Sequence, residues 1–241
     1  MPLVHIENMV KRYPMGGQNF TAIDHINLDF EKGEFSGVVG PSGSGKTTLL
    51  NLIGTLDAPT EGSITVLGKQ VERLSEKEAA ELRCRRLGFI FQTYNLLPVY
   101  TVYENVEFPL LLLGMPDAER KKKVLDALEW VGLTDKMKSR PDQLSGGQAQ
   151  RVSIARAVVK QPELVLADEP TANLDSENSH HILRTMSRLN RDLKTTFIFS
   201  THDDKVIDYL RRRITLVDGT VSKDEVVSPG NTESGSGSQE T

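Results

Sequence analysis

Cysteine is almost missing from this chain. Cys84 stands alone, so no intramolecular disulfide can close and no thiolate zinc cluster can form, and a reducing compartment fits. Basic charge is not in excess either. The formal net charge is −4 and the pI about 5.8, which gives no global basic field and excludes nucleic acid as an expected partner. Long apolar runs are also lacking. The longest is Pro109 to Leu113 with Phe108 before it, far short of the roughly 20 residues that a spanning helix needs. No basic-then-apolar leader opens the chain, and no segment repeats. The expectation is a soluble, cytosolic protein whose membrane role, if it has one, requires a separate chain. At 241 residues it can bury a large core as one domain, or as one domain with a subdomain.

What is present centres on Gly40-Pro41-Ser42-Gly43-Ser44-Gly45-Lys46-Thr47-Thr48, which fits the phosphate-loop pattern G-x-x-x-x-G-K-[ST] at every fixed position. An apolar run from Phe35 to Val39 reads as a buried strand feeding the loop, and Leu49 to Ile53 as the helix leaving it. Gly40, Gly43 and Gly45 let the backbone turn tightly with no Cβ in the way. Successive N–H groups, Ser42 and Ser44 among them, can then face phosphate oxygens, and the following helix adds its positive dipole end. Lys46 is placed to reach the β- and γ-phosphates, and Thr47 offers a hydroxyl to Mg²⁺. An ordinary Gly/Ser turn would not bring strand, loop, Lys-Thr pair and helix together in this order.

The remaining elements follow from periodicity and capping. Leu3 to Met9 and Ala22 to Phe30 alternate as two strands of a β layer, with Lys11-Arg12-Tyr13-Pro14 between them. Tyr13 there is either a half-buried loop aromatic or a stacking partner for adenine. Ser63 to Gly68 reads as a strand, and Ser75-Glu76-Lys77-Glu78 as a capping box opening a charged helix to about Arg86. Leu87 to Phe91 is a buried strand ending at Gln92. Thr101 to Glu104 caps another helix, running through about Leu113. Pro116-Asp117 starts a third, with Val124, Leu125, Leu128 and Val131 on one face. Strand signals stop until after residue 160, so 93–160 reads as a helical insertion in an α/β frame. Leu164 to Ala167 is a continuous apolar run, as a central parallel strand requires. Ser176 to Lys194 is an amphipathic helix, Thr196 to Ser200 another buried strand and Val206 to Leu210 helical, with short strands over 214–217 and 221–227. The Ser/Gly-rich segment 228–241 is expected to be disordered.

Two further stretches carry chemistry. The strand ending at Ala167 delivers Asp168 and Glu169 at its C-terminal end, where open α/β sheets bind ligands. Asp168 can hold Mg²⁺ through water, and Glu169 can polarise the water that attacks a γ-phosphate. An acidic strand exit is common, but not downstream of a phosphate loop. Leu144-Ser145-Gly146-Gly147-Gln148 then opens onto a helix and makes a second anion site. One nucleotide needs one phosphate loop, so a second such site points to nucleotides shared between two chains.

Over about residues 3 to 225 the chain resembles the ATP-binding subunit of ABC transporters. The resemblance rests on Leu144-Ser145-Gly146-Gly147-Gln148 together with Gln92, Asp168-Glu169, Asn173-Leu174-Asp175 and Thr201-His202, in family order. It implies a P-loop NTPase (RecA-like) α/β core, an N-terminal antiparallel β layer and an inserted α-helical subdomain, in a single domain over 1–227. The core and β layer would occupy 1–92 and 161–227. It implies a head-to-tail homodimer with two ATP molecules and Mg²⁺ between the subunits. Tyr13 would stack on adenine. Gln92 would touch Mg²⁺ or the attacking water. Ser145 and Gly147, in the loop with Gly146 and Gln148, would contact the γ-phosphate held by the other subunit. Asp175 would link the two sites, and His202 would contact the γ-phosphate and hold the attack geometry. Metal ligation falls to Thr47, Gln92 and Asp168, and catalysis to Glu169, His202, Gln92 and Lys46.

The stretches Phe89 to Pro98, Tyr103 to Val106 and Ala167 to Asp175 are similar to the lipoprotein-releasing, macrolide-exporter and cell-division class. That class implies an integral-membrane permease partner and a place on the cytoplasmic face of the inner membrane. The apolar connector Tyr94 to Glu107 is the expected docking stretch for the permease. The alternative, a soluble ABC ATPase of DNA repair or translation, calls for a long coiled-coil insertion or two nucleotide domains. The short stretch between Gln92 and Leu144 and the single phosphate loop offer neither.

Overall fold

The structure, a computed structural model, describes residues 1–227; the segment 228–241, expected to be disordered, lies outside the described residues. Among the described residues ten strands form two sheets. β1 (Val4–Met15), β2 (Gln18–Phe30), β4 (Glu61–Val66) and β5 (Lys69–Gln70) make an antiparallel layer in the order β2-β1-β4-β5. The second sheet runs β10-β9-β3-β8-β7-β6 and contains β3 (Phe35–Val39), β6 (Leu87–Ile90), β7 (Leu164–Asp168), β8 (Thr196–Thr201), β9 (Arg212–Val217) and β10 (Thr220–Val226). Its pairings are parallel except for β9 with β10.

β1 extends through Tyr13 and Pro14, which the sequence reading left between strands. The cause is the turn. Gly16 and Gly17 both have positive φ, 57° and 82°, so a two-residue hairpin closes with Met15 opposite Gln18 and Tyr13 opposite Phe20. Pro14 sits near the hairpin end of the strand, opposite Asn19.

The buried strands divide their side chains between two cores, because successive residues point to opposite faces. Leu164 and Leu166 of β7, and Ile198 of β8, join a core made with the antiparallel layer and α1 (Lys46–Ile53). Val165, Ala167, Phe197 and Phe199 join the other. That second core continues without a break into α3 (Val102–Leu112), α4 (Asp117–Trp130) and α5 (Gly146–Val158), the helices between β6 and β7. On α4 the buried stripe is Val124, Ala127, Leu128 and Val131; Leu125, expected among them, is half-buried. Spacing of three and four makes Ala127, not Leu125, the neighbour of Val131 and Val124.

Both capping boxes form: Ser75 with Glu78 ahead of α2 (Glu76–Arg86), and Thr101 with Glu104 ahead of α3. The apolar connector before α3 is held by buried Asn105, whose Oδ1 accepts from Leu97 N at 2.8 Å while its Nδ2 donates to the Leu97, Tyr100 and Thr101 carbonyls. Within the connector Val102 is buried, Leu96 and Tyr103 pack against the core, and Val99 is exposed. α6 (Ser176–Leu193) buries Ile182, Leu183, Met186 and Leu189, and α7 (Asp204–Ile207) is a single turn.

Candidate active site

The loop between β3 and α1 lies over a cavity of about 460 Å³ at the C-terminal ends of the parallel strands. Ser42, Gly43, Gly45, Lys46, Thr47 and Thr48 line one side. Gln92, Glu169 and His202, from the ends of three different strands, line the other. Gly45 has φ 102° and caps α1 without any side-chain hydrogen bond. A Cβ there would collide with the Ala22 carbonyl, and Gly43, at φ 82°, stands open. Lys46 is almost wholly buried, and its Nζ donates to the Gly40 and Pro41 carbonyls at 2.8 Å each. Gly40 and Ser44 shape the loop from beneath; Ser44 is buried, and its Oγ has no hydrogen-bond partner among the described residues.

Asp168 stands just outside the lining, and the Thr47 hydroxyl lies 3.2 Å from both its carboxylate oxygens. Glu169 follows with φ 44°, a left-handed backbone that its N–H secures by donating to the Ser200 carbonyl at 2.9 Å. Its carboxylate meets two partners. Oε1 lies 2.5 Å from His202 Nδ1, and Oε2 accepts from Thr201 Oγ1 at 3.1 Å. The Glu169 side chain is 14% exposed and that of His202 is 61% exposed, so the carboxylate is held in the wall while the imidazole faces the opening. Gln92 is fixed through its main chain, where Asn173 Nδ2 donates to its carbonyl at 2.9 Å.

These residues fit a nucleoside triphosphate with Mg²⁺. The glycine loop is a cradle that side chains would fill, the buried Ser44 hydroxyl is unpaired, and Lys46 supplies a cation. Thr47 and Asp168 are hard oxygen donors of the kind that hold Mg²⁺ beside phosphates and water. Among the described residues no group of three His, Cys, Asp or Glu gathers as a metal cage, which leaves phosphate oxygens and water to complete that coordination.

Six predicted residues stand elsewhere. Tyr13 is outside the lining. Its hydroxyl donates to Asp57 Oδ2 at 2.9 Å and also reaches the Thr48 side chain, and Lys11 Nζ lies 4.9 Å from the ring centroid. Burial, then Asp57, raises the phenol above its ordinary pKa. Ser145 and Gln148 close a capping box on α5, each side chain bonding the other's N–H at 3.3 and 3.0 Å. Gly147 is packed so that a Cβ would lie 2.5 Å from Asn178 Oδ1, and Gly146 is exposed beside it. Asp175 caps α6, accepting from Asn178 N at 2.8 Å and Asn178 Nδ2 at 2.7 Å, and those bonds lower its pKa. None of Ser145, Gly146, Gly147, Gln148 and Asp175 lines the cavity of its own chain. Sequence reasoning missed Phe20, which lines the cavity 49% exposed, and Ala22. Their alternate spacing on β2 was the available signal.

Comparison with known proteins identifies the family. The ABC transporter domain matches residues 23–172. YtrE, an ABC transporter ATP-binding protein of Bacillus subtilis, is 45% identical over 218 residues, covering 90% of this chain and 94% of that protein. The macrolide export ATP-binding/permease protein MacB of Burkholderia pseudomallei is 43% identical over 225 residues, and the chain spans about a third of that protein's length, 34%. The dimeric, post-hydrolysis structure of the ATP-binding cassette MJ0796 bound to ADP and Pi superimposes with a TM-score of 0.86 at 40% identity, covering 92% of this chain and 98% of that one. The chain therefore belongs to the ABC transporter family, among its ATP-binding proteins.

Proposed function

We propose that this chain binds and hydrolyses ATP as the nucleotide-binding subunit of a membrane transporter. The observation that carries the reading is the Glu169–His202 pair facing the phosphate loop across one cavity. The loop N–H groups and Lys46 hold the phosphates. Thr47 and Asp168 would hold Mg²⁺, which would supply charge neutralisation at the phosphates. Glu169 accepts a hydrogen bond from the attacking water and takes its proton, and His202 and Thr201 fix which carboxylate oxygen is turned to the water. Gln92 lies on the same wall and orients that water. Tyr13 and Phe20, opposite each other on the hairpin, border the place of the base. Ser145 and Gly147 act on the ATP of a second subunit.

The relatives' names favour a transporter over a repair or translation ATPase. Among the described residues no helix is long and apolar enough to cross a membrane, and a permease partner would give the chain its place on the cytoplasmic face. The resemblance to the macrolide exporter favours work in export, lipoprotein release or mechanical transmission. The test is Glu169→Gln in the full complex purified from membranes. It keeps the shape and removes the base, and kcat should fall by about 10²- to 10⁴-fold while ATP still binds and dimers accumulate. Undiminished turnover, or no membrane protein co-purifying with the wild-type chain, would refute the reading.

A further inference from the structure

The segment after Gln92 is strained, and one side chain of α5 holds it. Tyr94 and Asn95 have φ of 60° and 49°, two consecutive non-glycine residues in the left-handed region. There Cβ crowds the following carbonyl oxygen, and tyrosine has no local polar group to compensate. Local bonds are few: Tyr94 N donates to Phe91 O at 3.2 Å, and Asn95 N to Thr93 O at 2.6 Å. Both carbonyls of the strained pair turn instead to Arg156. One guanidinium nitrogen donates to Asn95 O at 2.6 Å and another to Tyr94 O at 2.7 Å. Burial lowers the Arg156 pKa, and among the described residues its hydrogen bonds reach no carboxylate. The planar fork sets one N–H on each carbonyl from two nitrogens in a fixed geometry, which the shorter, single-nitrogen head of lysine does not reproduce at this site. Upstream, Asn173 already fixes the Gln92 carbonyl.

We propose that Arg156 is a positioning residue that holds the Tyr94–Asn95 turn so that Gln92 faces the Glu169 cavity. It also ties Gln92 to α5, whose opposite end carries Ser145. The inference rests on the ATPase reading of the cavity.

The experiment compares wild type, Arg156→Lys, Arg156→Met and Arg156→Lys with Asn95→Gly, in the full complex. It reads kcat and KM for ATP, and amide hydrogen exchange over residues 93–97. Both single variants should lose about tenfold in kcat with KM within about twofold, because the phosphate cradle is untouched. Exchange over 93–97 should quicken in both. Adding Asn95→Gly to Arg156→Lys should recover at least about threefold in kcat, since glycine adopts the left-handed turn without strain. A role in packing alone would not respond to that glycine. Arg156→Lys with wild-type kcat and exchange, or a loss that Asn95→Gly leaves unchanged, overturns the proposal. If the wild type lacks ATPase activity, the ATPase reading fails, and exchange over 93–97 decides the Arg156 clamp by itself.

Discussion

Two glycine-rich loops in this molecule open onto helices, and the two helix starts are finished in opposite ways. α1 begins at Gly45, left-handed and with no side-chain cap, so its first N–H groups face the cavity unspent. α5 begins at Ser145 with a complete capping box, so two of its first donors are already satisfied within the chain. The difference teaches what each loop does alone. The first leaves its loop and helix start open to the cavity, as the proposed phosphate site requires. The second is a finished helix cap that offers its exposed Ser145 and Gly146 outward, with nothing in its own chain to bind.

The largest effect should come from breaking the first loop. Lys46→Ala removes the only loop cation and should cost about 10²- to 10³-fold in kcat/KM for ATP, with the circular dichroism unchanged. Activity near wild type would show that the cavity is not a phosphate site. The contrast between loops is sharpened by mixing subunits. Lys46→Ala mixed with Ser145→Arg leaves one composite site with both defects and one with neither. Hydrolysis above either variant alone is the expected outcome. An isolated subunit whose ATP affinity falls with Ser145→Arg would show instead that Ser145 acts within its own chain. The smallest effect belongs to Ser145→Ala, which should cost about 1 kcal/mol in denaturant unfolding through the lost cap. Its ATP affinity as an isolated subunit should stay unchanged; a drop would erase the contrast drawn here.

The phosphate loop, the acidic strand end and both capping boxes were legible because their chemistry is local: each depends on residue types at fixed short spacing. Phe20 was not legible, because its place in the cavity depends on pairing with Tyr13 across a turn that only Gly16 and Gly17 together define. The exchange of Leu125 for Ala127 on α4 was a matter of counting the helical period over two turns. The left-handed backbones at Glu169, Tyr94 and Asn95 were hidden for a different reason. No local signal marks glutamate or tyrosine for that region, although asparagine enters it more readily. Bonds from distant elements impose it, Ser200 on Glu169 and Arg156 on the other two. Such strain, worth roughly 1–3 kcal/mol per residue, collects where the surrounding structure over-determines the backbone.

The unbroken core beneath α3, α4 and α5 has a consequence for anyone exchanging parts between relatives. These helices have no floor of their own. Val152, Ile154 and Val158 share one core with Val165, Phe197 and Phe199 of the sheet, so the lower wall of the helical region is written in strands that lie far along the chain. A transplanted insertion would arrive with its underside shaped for another protein's strands. Its compatibility would be decided by alternate residues of β7 and β8, at positions a swap defined by loop boundaries leaves behind.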